Sequence, residues 1–225
     1  LTLNVDYYRI EIDNAVALLT YQQKLDEEFR LRGAGETGTR VGDVTRLANG
    51  GLVSVENDLV NVAKRDTEGL DLDVGWSLPL GGFGDLTARL YWTHVINYSE
   101  SDPDDPTQTV HRDGDLYHPE DRGRLTLNWA LGDFSATAVG NYVSDQEKGP
   151  WYCAPEYGNR CRLGTFKTVD LQASWATPWN GQITIGARNI FDEDPPTTTD
   201  LGRRYESGQH SVFGRVPYIR WEQDL

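Results

Sequence analysis

The sequence predicts an all-β protein, an antiparallel up-and-down transmembrane β-barrel, and three observations carry that prediction. Apolar and polar residues alternate with period two in segment after segment, the pattern of strands with two different faces. The connections between those segments alternate long and short. Aromatic residues make up 11% of the 225 residues, with 7 Trp and 11 Tyr, and barrels place such residues in girdles at the two membrane interfaces. No window approaches the ~18 consecutive apolar residues of a membrane helix. Mean hydropathy is low, at −0.57, which excludes a helical membrane protein but suits strands whose two faces average out.

The strands can be taken in order. Leu1, Leu3, Val5 and Tyr7 alternate with Thr2, Asn4 and Asp6. Leu70, Leu72, Val74, Trp76 and Leu78 alternate with Asp71, Asp73, Gly75 and Ser77, and Leu86, Ala88, Leu90 and Trp92 with Thr87, Arg89, Tyr91 and Thr93. Leu125, Leu127, Trp129 and Leu131 follow, then Val169, Leu171, Ala173 and Trp175. Fainter alternation covers Phe134 to Val143, Gln182 to Ile190 and Ser211 to Trp221. That makes eight candidate strands, most of them near the ~9–11 residues that cross a bilayer when tilted. The apolar members are expected to face lipid. The opposite positions, among them Gly75, Ser77, Ala130, Ser174, Ala176 and Gly186, are too small to fill an eight-stranded lumen and suit the wall of a wider one. One stretch, Ala17 to Arg32, has helical spacing through Leu18, Leu19, Gln22, Leu25 and Phe29, and reads as a short helix decorating a long loop.

Long connections at Asp13 to Lys64, Asn97 to Pro119, Gln146 to Phe166 and Asp192 to Gln209 alternate with short turns at Leu80 to Asp85, Gly132–Asp133 and Thr177 to Gly181. Outer-membrane barrels have this asymmetry, with short periplasmic turns and long external loops. A soluble β-sandwich is the alternative, and it gives no reason for the alternation. A C-terminus in the periplasm places every long loop outside the cell.

The formal charge of −14 argues against nucleic acid, whose phosphates need clustered Lys and Arg. The acidic runs Asp26-Glu27-Glu28 and Asp102, Asp104 and Asp105 read as solvated surface. There is no methionine, and the two cysteines, Cys153 and Cys161, stand close together in a turn-rich segment that fits a local disulfide formed in an oxidising compartment. Leu1 opens directly into a strand pattern with no targeting motif, as expected of a processed product or a piece of a longer chain.

No catalytic constellation emerges, so an enzyme is not expected. His94, His111, His118 and His210 are scattered, with no spacing that resembles a zinc site. His111 and His118 share a loop with Asp113, Asp115 and Glu120, for which a metal site is open and a solvated loop favoured. Ser174 and Asp170 share a strand face without a histidine near in sequence. Gly81-Gly82 serves a turn and precedes no helix, so phosphate cradling is unsupported; neither a metal nor a cofactor is expected. The candidate ligand-binding residues are in the loop around the cysteines: Trp151, Tyr152, Tyr157, Arg160 and Arg162. Aromatics with arginines stack on planar ligands and grip anions; packing of loop against loop is the equal alternative.

Asn189-Ile190-Phe191-Asp192, Pro195-Pro196, Tyr205, His210 and Gly214-Arg215 resemble the C-terminus of TonB-dependent receptors. Upstream, Val5 to Ile12, Val60-Asn61-Val62-Ala63 and Thr67 to Leu72 resemble that family's strands on either side of a long external loop. The family closes on an aromatic residue, and this chain ends on Leu225. The resemblance implies the C-terminal part of a barrel of about 22 strands around a plugged lumen, with the plug and the earlier strands outside residues 1–225. It implies residence in the outer membrane of a Gram-negative bacterium, among lipid and lipopolysaccharide. It further implies coupling through the plug to the TonB energy-transducing complex, and uptake of a scarce, bulky solute such as a ferric siderophore, a carbohydrate or another large nutrient. The alternative is a passive porin or structural barrel.

Overall fold

The computed structural model describes residues 1–56, 59–102, 108–147, 162–197 and 209–223. In chain order its elements are β1 (Thr2–Leu18), α1 (Tyr21–Gly33), the short strands β2 (Arg40–Val41), β3 (Val44–Arg46) and β4 (Leu52–Val55), then β5 (Leu59–Pro79), β6 (Asp85–Ser101) and β7 (Thr109–His111). They continue with β8 (Asp121–Leu131), β9 (Phe134–Val143), β10 (Gln146–Glu147), β11 (Arg162–Leu163), β12 (Phe166–Thr177), β13 (Gly181–Arg188) and β14 (Val216–Gln223). The eight long strands form one sheet in the order β1-β5-β6-β8-β9-β12-β13-β14, with β7 appended to β6. Each long strand neighbours the next one in sequence, an up-and-down meander. The sheet is not closed, and β1 and β14 are its two edges.

All eight expected strands are present. Phe134–Val143 keeps the expected bounds, whereas β1 runs on to Leu18 and the last strand starts at Val216 instead of Ser211. β1 and β6 are each 17 residues long and β5 is 21, well beyond the ~9–11 that a bilayer requires. Alternation shows that a chain is extended. It does not show where the chain leaves the membrane.

Register builds two unlike faces. Leu86, Trp129, Ala136, Ala173, Ile185 and Ile219 lie opposite one another in one row, and Ala88, Leu127, Ala138, Leu171, Ala187 and Pro217 in the next. The alternate rows are polar, for example Thr87, Asn128, Thr137, Gln172, Gly186 and Tyr218. Among the described residues the buried apolar side chains are Val41, Val44, Leu116 and Leu163, and all four lie in loop elements. Among its described apolar side chains the large sheet buries none. Ile185, on an interior strand, is 57% exposed. A row of exposed apolar side chains running across consecutive strands is unusual for a soluble monomer and suits contact with lipid.

Aromatic clusters mark both limits of the apolar face. At the end with the short turns, Phe134 stacks on Trp175 at 6.5 Å, Trp175 meets Trp179 edge-on at 5.7 Å, and Trp129 Nε1 donates to the Phe83 carbonyl at 2.8 Å. At the other end Trp92 stacks on Tyr142 at 5.2 Å, and Lys167 Nζ stands 5.6 Å from the Tyr142 ring. Trp92 lies opposite Gly123 and Phe134 opposite Leu131, so eight residues of β8 separate the two clusters, roughly 26 Å of strand. A tilt of about 40° reduces that to about 20 Å, comparable with the ~25 Å apolar band between the girdles of outer-membrane barrels.

The chain divides into two compact units, Leu1–Tyr8 with Glu68–Ile96 and Asp113–Leu225, and Arg9–Thr67 with Asn97–Arg112. The second unit contains α1 and the β2-β3-β4 sheet. Thr20 caps α1 with a capping box, its hydroxyl accepting the Gln23 N–H at 3.2 Å while Gln23 Oε1 accepts the Thr20 N–H at 2.7 Å. The helix spans Tyr21–Gly33 in place of the expected Ala17–Arg32, because β1 takes Ala17 and Leu18. Its buried positions are Lys24 and Glu28, and Phe29 is 81% exposed. The apolar spacing of Leu25 and Phe29 therefore does not mark the inner face of this helix. Ion pairs do.

Candidate functional site

The motif Asn189-Ile190-Phe191-Asp192 positions the last strand. Asn189 and Asp192 both have positive φ, 47° and 60°, a conformation that short polar side chains tolerate best. Asn189 is buried and clamps the turn on both sides: Nδ2 donates to the Glu193 carbonyl at 2.8 Å and Oδ1 accepts the Glu193 N–H at 2.9 Å. Its own N–H donates to Asp170 Oδ1 at 2.8 Å. Asp192 Oδ1 then accepts the N–H of Arg215 at 2.6 Å. A side chain at Gly214 would collide with that carboxylate, so the glycine of the Gly-Arg pair clears the approach and the arginine N–H completes it.

On the polar face, side chains bond from strand to strand. Thr137 Oγ1 donates to Asn128 Oδ1 at 2.9 Å, Asn141 Nδ2 to Thr168 Oγ1 at 3.3 Å, and Ser174 and Thr184 share a bond of 2.8 Å. Arg89 grips Asp73 through two nitrogens at 3.0 and 2.9 Å and lies 4.5 Å from the Tyr91 ring centre. Tyr218 crosses over Gly186 to donate to Gln172 Oε1 at 2.8 Å. A Cβ at 186 would meet the Tyr218 ring at 2.7 Å, so the small residue there makes room for its neighbour. Ser174 and Asp170 are thus both engaged in strand-to-strand bonding.

Three of the long loops meet around Gln146. Its amide exchanges bonds with Gln209 at 2.8 and 3.0 Å, and its Oε1 also accepts the Tyr117 N–H at 2.9 Å. The Leu116 N–H donates to Glu147 O at 2.9 Å and the Glu147 N–H to Gly114 O at 2.8 Å. Leu116 and Leu163 are buried, and Phe166 packs edge-on against His210 at 4.8 Å. Of the expected ligand residues, Arg162 lies in β11, exposed and ion-paired to Asp145 at 2.6 Å. Trp151, Tyr152, Tyr157 and Arg160 fall outside the described residues, as do Cys153, Cys161 and Tyr205. His111 Nδ1 is 3.1 Å from Asn97 Oδ1, and the described residues hold no group of three or more His, Cys, Asp or Glu side chains placed for a metal ion.

Glu28 stands in the acidic run Asp26-Glu27-Glu28, whose charge suits a solvated surface, yet it is 2% exposed. Arg46 grips it through Nε and Nη2, both at 2.7 Å, and Arg32 Nε donates to it at 2.7 Å. The Arg46 hydrogen bonds, above all, pull its carboxyl from the ordinary 4.5 down to about 2 against the opposing effect of burial. Lys24 pairs with Asp43 alongside. Arg32, four residues on, is a signal legible in sequence; Arg46, eighteen residues away, is not.

The family model described as TonB dependent receptor-like, beta-barrel, matches residues 1–190. None of the curated proteins matches. Among solved structures, the ferric enterobactin receptor PfeA of Pseudomonas aeruginosa, as the G324V mutant, aligns with a TM-score of 0.61 at 17% identity over 97% of this chain and 28% of its own. The outer membrane transporter YddB of Escherichia coli aligns with 0.61 at 11% identity, over 98% and 30%. The copper transporter OprC aligns with 0.50 at 12% identity, over 98% and 29%. At these identities the likeness is one of fold, and the chain spans less than a third of each of these structures. β14 lies beyond the matched range of the family model, but within the fold these structures share over almost the whole chain.

Proposed function

The chain belongs to the TonB-dependent receptor β-barrel family, and from that premise we propose that residues 1–225 are the C-terminal wall and external loops of an outer-membrane receptor for energy-coupled uptake of a scarce, bulky solute. The observation that carries this reading is the division of one sheet into an uncovered apolar face and a hydrogen-bonded polar face. The first suits lipid. The second, with Arg89, Asp73, Gln172 and Tyr218 among its bonded groups, suits a wetted lumen wide enough for a plug. The missing strands and plug supply the rest of the barrel and the coupling to the TonB complex. PfeA takes its name from ferric enterobactin and OprC is a copper transporter, so metal chelates are the first solutes to try, with oligosaccharides second.

The test is uptake by cells whose own copy is deleted and replaced by the complete receptor. A panel of labelled ferric siderophores, copper and oligosaccharides is offered. At least one should accumulate in a receptor-dependent way, and collapse of the inner-membrane proton gradient should stop it. Entry that continues unchanged without the gradient and rises linearly with concentration would instead assign a passive porin.

A further inference from the structure

The loop between β1 and β5 holds a groove of about 650 Å³ that the barrel wall does not explain. It is framed by α1 and the β3-β4 turn, and its apolar lining includes Leu25, Phe29 and Leu47. Its ionisable lining is Glu28, Arg32 and Arg46. Both guanidinium groups are held from two sides. Each grips Glu28, and the Nη1 atoms donate to backbone, Arg46 to Gly50 O and Arg32 to Gly38 O, both at 3.2 Å. One carboxylate against two guanidiniums leaves the groove with a net single positive charge. Both arginine side chains stay about one-third exposed, at 32% and 30%. The neighbouring pair of Lys24 with Asp43 sets one cation against one acid, with no such excess. The second arginine oversupplies charge in a half-buried place, and an anion would balance it. Beside it, Phe29 and Leu47 are 81% and 56% exposed.

We propose that this groove binds an amphiphilic monoanion, a carboxylate or sulfonate on an aromatic or apolar body. The anionic group would sit on Arg32 and Arg46, where guanidinium donors suit planar oxyanions. The body would lie on Phe29, Leu25 and Leu47, where an aromatic ring gains both burial and stacking. Glu28 touches no ligand in this arrangement; it is a positioning residue that fixes the two arginines in the ligand-free loop. None of the groove's lining residues belongs to the eight long strands, and binding here stands or falls independently of transport.

The experiment uses the complete receptor in lipid nanodiscs, with empty nanodiscs subtracted, and equilibrium dialysis of 1-naphthoate and of its neutral analogue 1-naphthamide. Naphthoate should bind saturably, and about tenfold more tightly than naphthamide, the worth of one charge-assisted contact. Arg32→Gln should remove that preference while leaving naphthamide unchanged, and Arg46 keeps its two-nitrogen grip on Glu28 in this variant. Phe29→Ser, at an exposed position, should weaken both probes. Equal affinity for the two probes, no saturable naphthoate binding, or a naphthoate affinity that neither variant alters would each overturn the proposal.

Discussion

At position 214 one added carbon crowds the junction that leads into β14. The Asp192 carboxylate occupies the space a Cβ would need, and it is there to accept the Arg215 N–H. Gly214→Ala and Asp192→Ala should each weaken this junction by about 1–3 kcal/mol, the cost of an unsatisfied or displaced polar group. The temperature at which the complete receptor loses heat-modifiable mobility on gels measures this. The double variant should cost less than the sum, since both remove one contact. Glu28 sets a second, pH-dependent effect. The fold lowers its pKa from 4.5 to about 2, so the folded loop favours the charged form. Its stabilisation is fully present above pH 4.5 and is lost as pH falls from there toward 2. Protease resistance of the loop between β1 and β5 should be flat from pH 7 to about 5 and decline below. Glu28→Gln should be weaker at pH 7 and lack the decline.

At the scale of elements, α1 depends on its first turn. Thr20→Ala removes the hydroxyl side of the capping box and should destabilise the helix by about 1 kcal/mol, seen as faster proteolysis within the same loop at unchanged barrel mobility. For the sheet, nitroxide labels at Leu72, Trp76, Leu90, Leu127, Trp129, Leu171 and Trp175 should be relaxed by oxygen dissolved in lipid. Labels at Asn128 and Gln172 should respond to water-soluble nickel complexes; the reverse pattern would refute the membrane assignment. The strands were legible in sequence because period-two alternation follows from backbone geometry alone. The inner face of α1 was not. Leu25 and Phe29 imply one stripe, whereas the helix buries Lys24 and Glu28, whose partners Asp43 and Arg46 come from the β2-β3-β4 sheet and its turn.

For the whole molecule, the open sheet has consequences. β1 and β14 are edges, and in lipid each unpaired backbone group costs several kcal/mol. Expressed alone, residues 1–225 should fail to give a heat-modifiable barrel. Co-assembly with the N-terminal strands that the proposed larger barrel requires should restore it. A closed barrel formed from these residues alone would refute the assignment to a larger wall. The apolar face lowers the free energy of the chain only once a bilayer covers it, so the measurement belongs in lipid and not in detergent-free buffer.

By itself the sequence determined that the chain is built of strands, which residues share a face, where the short turns fall, and which family the chain resembles. These are local properties, set by the two-residue repeat of an extended backbone and by turn residues such as Gly132, Asn180 and Asn189. Only the tertiary structure decided the register between strands, the closing contact of Asp192 with Arg215, and the burial of Glu28 between Arg32 and Arg46. Each of these depends on residues brought together across a turn, a loop or a neighbouring strand. A charged residue looks the same in sequence whether water or two guanidiniums surround it.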